Sequence, residues 1–130
     1  MADIRSYRDL EVWQRAVALV AAAYRVSERL PRHEDFGLRL QLRRAAVSVP
    51  ANIAEGHGRT GIGEYLHHLS IAHGSLAELE TLLTVAVSLG YLAPADVAPI
   101  ETQSTELSRM LRALMRRLKE RVDGEKSGRR

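Results

Sequence analysis

Apolar residues return every three to four positions through four stretches of this chain, and polar or glycine-rich breaks separate them. That period belongs to amphipathic helices. The first is predicted over 9–30, with Leu10, Trp13, Val17, Val20 and Tyr24 on one face and Pro31 as its stop. The second runs over 35–56. It opens on Glu34 and Asp35, carries Leu38, Leu42, Ala45, Ala46, Val49 and Ile53 inward, and ends on Gly56 as a C-terminal cap. The third covers 62–89, with Leu66, Leu69, Ala72, Leu76, Leu79, Leu83 and Ala86 or Val87 as its stripe and Gly90 in the cap position. The fourth covers 94–121. Pro94 is tolerated in its first turn, Pro99 extends an irregular start, and Ile100, Leu107, Met110 or Leu111, Leu114 and Leu118 face inward.

Strand-type alternation is absent. The expected fold is therefore all-α, an antiparallel up-down-up-down four-helix bundle. Residues 1–122 form its one domain, and 123–130 are expected to be a disordered basic tail. One stretch breaks the helix rules. Within Ser48–Gly56, Pro50 removes a backbone donor and should bend the helix, and such a residue costs ~3 kcal/mol in a helix interior. Gly74, beside Ala72, Ser75 and Ala77, predicts a small-residue patch where another backbone comes close.

Composition narrows the picture. Of 130 residues, 45% are hydrophobic but only 5% aromatic, so the core must be built from Leu, Val, Ile and Ala. Without cysteine there is no disulfide framework and no thiolate metal site. No apolar run reaches the ~20 residues that span a bilayer. The first residues lack the centre of a signal peptide, and a cytoplasmic location is expected. The net charge is +3, unevenly spread. Residues 109–130 hold nine Lys/Arg against three Asp/Glu, whereas 1–108 hold ten against thirteen.

The polar residues point to binding rather than catalysis. Ser48, Asn52 and Glu55 share one helix face. With Ser75 and Glu78 on the third helix they form a candidate structural cluster, in which Arg43, Arg44 or Arg59 should neutralise Glu55. Arg109, Arg112, Arg116 and Lys119 follow one another at i, i+3, i+7 and i+10, which makes a basic ridge that matches closely spaced phosphates. Arg39 and Arg43 add a second pair. Glu64-Tyr-Leu-His67 is an E-x-x-H, but di-iron bundles need two such motifs and two more glutamates, so no metal is expected. His57 and His73 are expected to be hydrogen-bonding or surface residues. The glycines at 56, 58, 61 and 63 lack the Gly-Lys-Ser/Thr order of a phosphate loop and make a connection. No nucleophile–base pair is evident, so neither an enzyme nor a cofactor is expected.

Several segments together carry a resemblance. They are Tyr7-Arg-Asp-Leu-Glu-Val-Trp-Gln14, Gly37 to Ser48 running into Asn52-Ile-Ala-Glu-Gly56, Ile71 to Thr81 with Gly-Ser-Leu-Ala-Glu-Leu-Glu inside it, Leu89-Gly-Tyr91, and Arg109 to Leu114. In this order the chain resembles the four-helix bundle family first noted as reading frames in intervening sequences of 23S ribosomal RNA genes, over about Tyr7 to Leu118. The resemblance implies a ring-like homopentamer. It also implies kinship with the accessory variability determinant proteins of diversity-generating retroelements, which bind nucleic acid and partner with a reverse transcriptase. The function expected is therefore binding of RNA or DNA phosphate, alone or beside such an enzyme. The alternative is a protein-interaction scaffold that binds no nucleic acid.

Overall fold

The computed structural model describes residues 3–128. Among them are four α-helices and no strand: α1 Glu11–Ser27, α2 Leu38–His57, α3 Ile62–Ser88 and α4 Pro94–Gly128. Single 3-10 turns at Tyr7–Asp9 and Arg32–Glu34 precede α1 and α2. Each helix packs on its two neighbours and none packs across the diagonal. Cross-seam pairs give the directions. Along α1 and α4, Arg15 meets Glu106, and Arg29, just past the end of α1, meets Asp96. Along α2 and α3, Ser48 meets Ser75 and Asn52 meets His68. Along α3 and α4, His73 meets Ser108 and Glu80 meets Ser104. Numbers rise on one helix as they fall on its neighbour, so these seams run antiparallel. The result is a four-helix bundle. No described helix is long and apolar enough to cross a membrane.

The helix ends follow from local chemistry. Ser6 and Asp9 form a reciprocal capping box around the first turn, and Gln14 reaches back to the Arg8 carbonyl at 2.9 Å. The Glu34 carboxylate accepts the Leu38 N–H at 3.3 Å, where the start of α2 would otherwise leave a donor open. Gly37 makes room for that carboxylate, which a Cβ would strike. At the end of α3, Gly90 takes φ +79°, and the Gly90 and Tyr91 N–H groups bond back to Val87 and Ala86. This is a Schellman closure that the sequence places correctly.

The core matches the expected faces of α2, α3 and α4, but not that of α1. Its buried residues are Val12, Ala16, Leu19, Ala23 and Ser27, whereas Val17 and Tyr24 of the expected stripe are exposed and Trp13 and Val20 only partly covered. Helix α1 carries two apolar stripes side by side. The one with larger side chains dominates the pattern, but Ala16 and Ala23 let the neighbouring helices approach and so win the interior.

Several helix boundaries, and the expected irregular start of α4, also differ from expectation. α1 ends at Ser27, before Pro31. α2 continues through Pro50 and past Gly56 to His57, with Gly58 as its cap residue. α4 is helical from Pro94 through Pro99. It also persists past 121 to Gly128, so residues 123–128 of the expected tail are helical, and 129–130 lie outside the described residues.

Gly56 has a different role from the one its position implies. It is buried inside α2, where a Cβ would stand 2.8 Å from the His68 Cβ and 3.1 Å from the Tyr65 ring. Gly74, the expected site of close approach, faces open space, with nothing within 4 Å of a Cβ. Replacing Gly56 by alanine should therefore lower the unfolding free energy by about 1–3 kcal/mol through overpacking, despite alanine's better helix propensity. Gly63→Ala, where a Cβ also meets nothing within 4 Å, should leave stability unchanged or slightly higher. Chemical denaturation of the two variants measures both.

Candidate nucleic-acid interface

Two arginine sets and one polar seam are the sites that the sequence singles out. In the seam, Ser48 Oγ lies 2.8 Å from Ser75 Oγ, linking α2 to α3. Asn52 donates from Nδ2 to the Ser48 carbonyl at 2.9 Å and to Ser48 Oγ at 3.0 Å. Its Oδ1 therefore faces His68 Nδ1 at 3.1 Å. An acceptor there requires His68 to carry its proton on Nδ1. Every buried side-chain polar atom among the described residues has a partner.

Glu55 and Glu78 do not join this cluster. Both are exposed, and Glu55 pairs at 2.7 Å with Arg59, just past the end of α2. His68 takes the place expected for Glu78. It sits seven residues before Ser75, two full turns on the same face, and that spacing was the available signal. Glu78, three residues past Ser75, turns outward.

Arg39 and Arg43 are committed inside the chain. Arg39 Nε donates to the Ser27 carbonyl at 3.0 Å, its Nη2 donates to the Leu30 carbonyl, and it pairs with Asp35. Arg43 Nε donates to Ser27 Oγ at 2.8 Å, and its guanidinium lies 4.5 Å from the centre of the Tyr24 ring. Both stitch the end of α1 to α2. Ser27, fully buried, receives both arginines while its own hydroxyl donates to the Tyr24 carbonyl at 2.7 Å.

Arg109, Arg112, Arg116 and Lys119 are different. All four are exposed on α4, and none makes an ion pair within 4.0 Å among the described residues. By contrast Arg15, Arg29, Arg39 and Arg59 each face a carboxylate. Arg15 lies between Glu11 and Glu106, and the Glu11 hydrogen bond leads in raising its pKa. Arg117 turns to the other side of α4, beside Leu10 and Glu11, and is not part of the row.

The histidines are absorbed into seams or left on the surface. His73 Nε2 meets Ser108 Oγ at 2.8 Å, His57 packs edge-on against the Tyr65 ring, and Glu64 and His67 are exposed. No group of three or more His, Asp or Glu among the described residues is placed to hold a metal. Burial raises the Tyr65 phenol above its ordinary value of 10.0. A group whose folded pKa is raised this way contributes stability below its unfolded value and loses it as pH climbs toward the folded one. Stability should thus fall above about pH 10, and Tyr65→Phe should lessen that fall in alkaline denaturation curves.

Asn52→Leu should cost about 1–3 kcal/mol, because it strands His68 Nδ1 in a half-buried seam. Glu55→Gln, at a surface pair, should change stability by less than about 1 kcal/mol. Thermal and chemical melts of the two variants separate these outcomes.

Comparison with known proteins adds three findings. No curated protein matches the chain in sequence. A solved structure of a protein of unknown function from the S23 ribosomal protein family of Bacteroides thetaiotaomicron superposes with a TM-score of 0.74 at 21% identity, covering 80% of this chain and 97% of that one. That likeness is one of fold. Residues 8–113 match the family described as 23S rRNA-intervening sequence protein, and the chain belongs to that family.

Proposed function

We propose that this chain acts by binding rather than by catalysis, as a cytoplasmic accessory protein that holds nucleic-acid phosphate on the α4 ridge. The observation that carries this reading is the row of four exposed cations on one line of α4, none of them in an ion pair within 4.0 Å among the described residues. Desolvating an already paired arginine gains little, whereas an unpaired one offers its full charge to a phosphate. Arg39 and Arg43 are not in this surface: Arg39 is bonded to the Ser27 and Leu30 carbonyls and to Asp35, and Arg43 lies between Ser27 Oγ and the Tyr24 ring. An enzyme that works on the bound nucleic acid, such as a reverse transcriptase, fits as the protein partner.

The same reading makes the chain one subunit of a closed ring, the homopentamer that its family resemblance implies. Two unlike apolar faces support it. Val17, Tyr24 and Val47 are exposed on α1 and α2, and Ile71 and Val85 on α3. Because α1 and α3 stand diagonally across the bundle, the faces are separate. Unlike faces on one subunit pair head to tail, and such contacts close into a ring when the rotation between subunits returns to its start.

Retention of the wild type on a phosphate-bearing matrix should fall steeply with salt. Arg112→Glu/Arg116→Glu should abolish retention, and single replacements by alanine should each lower the salt slope by about 1. A wild type that binds neither RNA nor DNA at low salt, with a normally folded double variant, decides for the scaffold alternative. Native mass measurement after nuclease treatment tests the ring. Val17→Asp/Val47→Asp should be a folded monomer, and a monomeric wild type would overturn the assembly.

A further inference from the structure

The shape of the ridge says which form of nucleic acid it suits. From Arg109 to Lys119 it spans ten residues, about 15 Å at the α-helical rise. It is a short, rigid, straight row. Glu120 and Asp123, each four residues beyond a member of the row (Arg116 and Lys119), close it at one end. Glu101 stands on the same side before Arg109, and all three carboxylates are exposed without an ion-pair partner within 4.0 Å among the described residues. A strand that ran along α4 past the row would meet these negative charges. A backbone that crosses the helix and curves away avoids them.

Base contacts are equally constrained. α4 contains no aromatic residue. The exposed α3 positions that flank its seam with α4, Ser70, Ala77 and Thr84, are small or hydroxylated. Binding of single strands without sequence preference draws on aromatic stacking, at ~1–3 kcal/mol per base, and none is on offer here. A single strand must also be ordered before several phosphates match a rigid row, whereas a double helix presents them already spaced. The row's length is close to the ~12 Å width of a B-form major groove, so its ends can reach phosphates on both rims.

We propose that the α4 ridge binds the phosphate backbone of a double helix in preference to a single strand, by crossing it and without reading bases. This rests on the nucleic-acid reading above and narrows it. The test uses the full chain at low salt with a duplex RNA, a duplex DNA and each separated strand, all of the same sequence, read by fluorescence anisotropy. A duplex of either kind should bind at least tenfold tighter than its own strands. Its log K should fall with log salt at a slope of up to about −3.6, the value for four phosphate contacts. Arg112→Glu/Arg116→Glu, checked for its helical spectrum, should lose the duplex. Single strands bound as tightly as duplexes would overturn this inference and leave the nucleic-acid reading standing. Binding to none of the four, or to anionic phospholipid vesicles alone, would overturn both.

Discussion

At Gly56, α2 presents no side chain to α3, and much of the bundle's geometry follows from that contact. The His68 Cβ and Tyr65 ring occupy the space that a larger residue would take. Only at this separation do the short side chains of Ser48, Ser75 and Asn52 reach across the seam. With α3 held in that register, His73 and Glu80 meet Ser108 and Ser104 and fix α4 in turn. The direction in which the ridge faces is thus set partly two seams away from it. Hydrogen-bonded polar pairs at each seam add orientation to an apolar core that would tolerate several packings.

The arginines divide by what surrounds them. Those near seams are answered by carboxylates, carbonyls or ring faces, as with Arg29, Arg39 and Arg43. Arg8 likewise lies over Tyr7 and Trp13. Exposed ion pairs contribute only about 0–1 kcal/mol each, so their larger effect here is on the field. They neutralise charge over the body of the bundle and leave the α4 row as a local concentration of it. A net charge of +3 therefore understates what an approaching polyanion meets at that row.

Much of this was legible from the residues. The faces of α2, α3 and α4 follow their apolar periods, and Gly90 stands where a left-handed cap is needed. The face of α1 was not legible, because periodicity weighs side-chain size while packing rewards the small Ala16 and Ala23. The use of Gly56 was hidden for a related reason: a glycine near a helix end reads as a cap, and only the position of the next helix reveals a crossing. Within the polar seam, Asn52 and the two serines follow from spacing. Glu55 and Glu78 were drawn in by proximity along the chain, although each turns away from its neighbour's face. For Arg39 and Arg43, charge alone could not tell a free cation from one held by carbonyls or by the Ser27 hydroxyl at the end of α1.

Helix α4 outlasts its support. Among the residues whose burial is described, its last buried one is Leu118, yet the helix continues to Gly128. Those final ten residues span about 15 Å and have little but local terms to hold them, and isolated helices under ~12–15 residues are marginal in water. The helix therefore consists of a clamped part and a cantilever, with Lys119 at the hinge between them. Anything that grips Lys119 lengthens the clamp, so occupancy of the ridge and helicity of the overhang are thermodynamically linked.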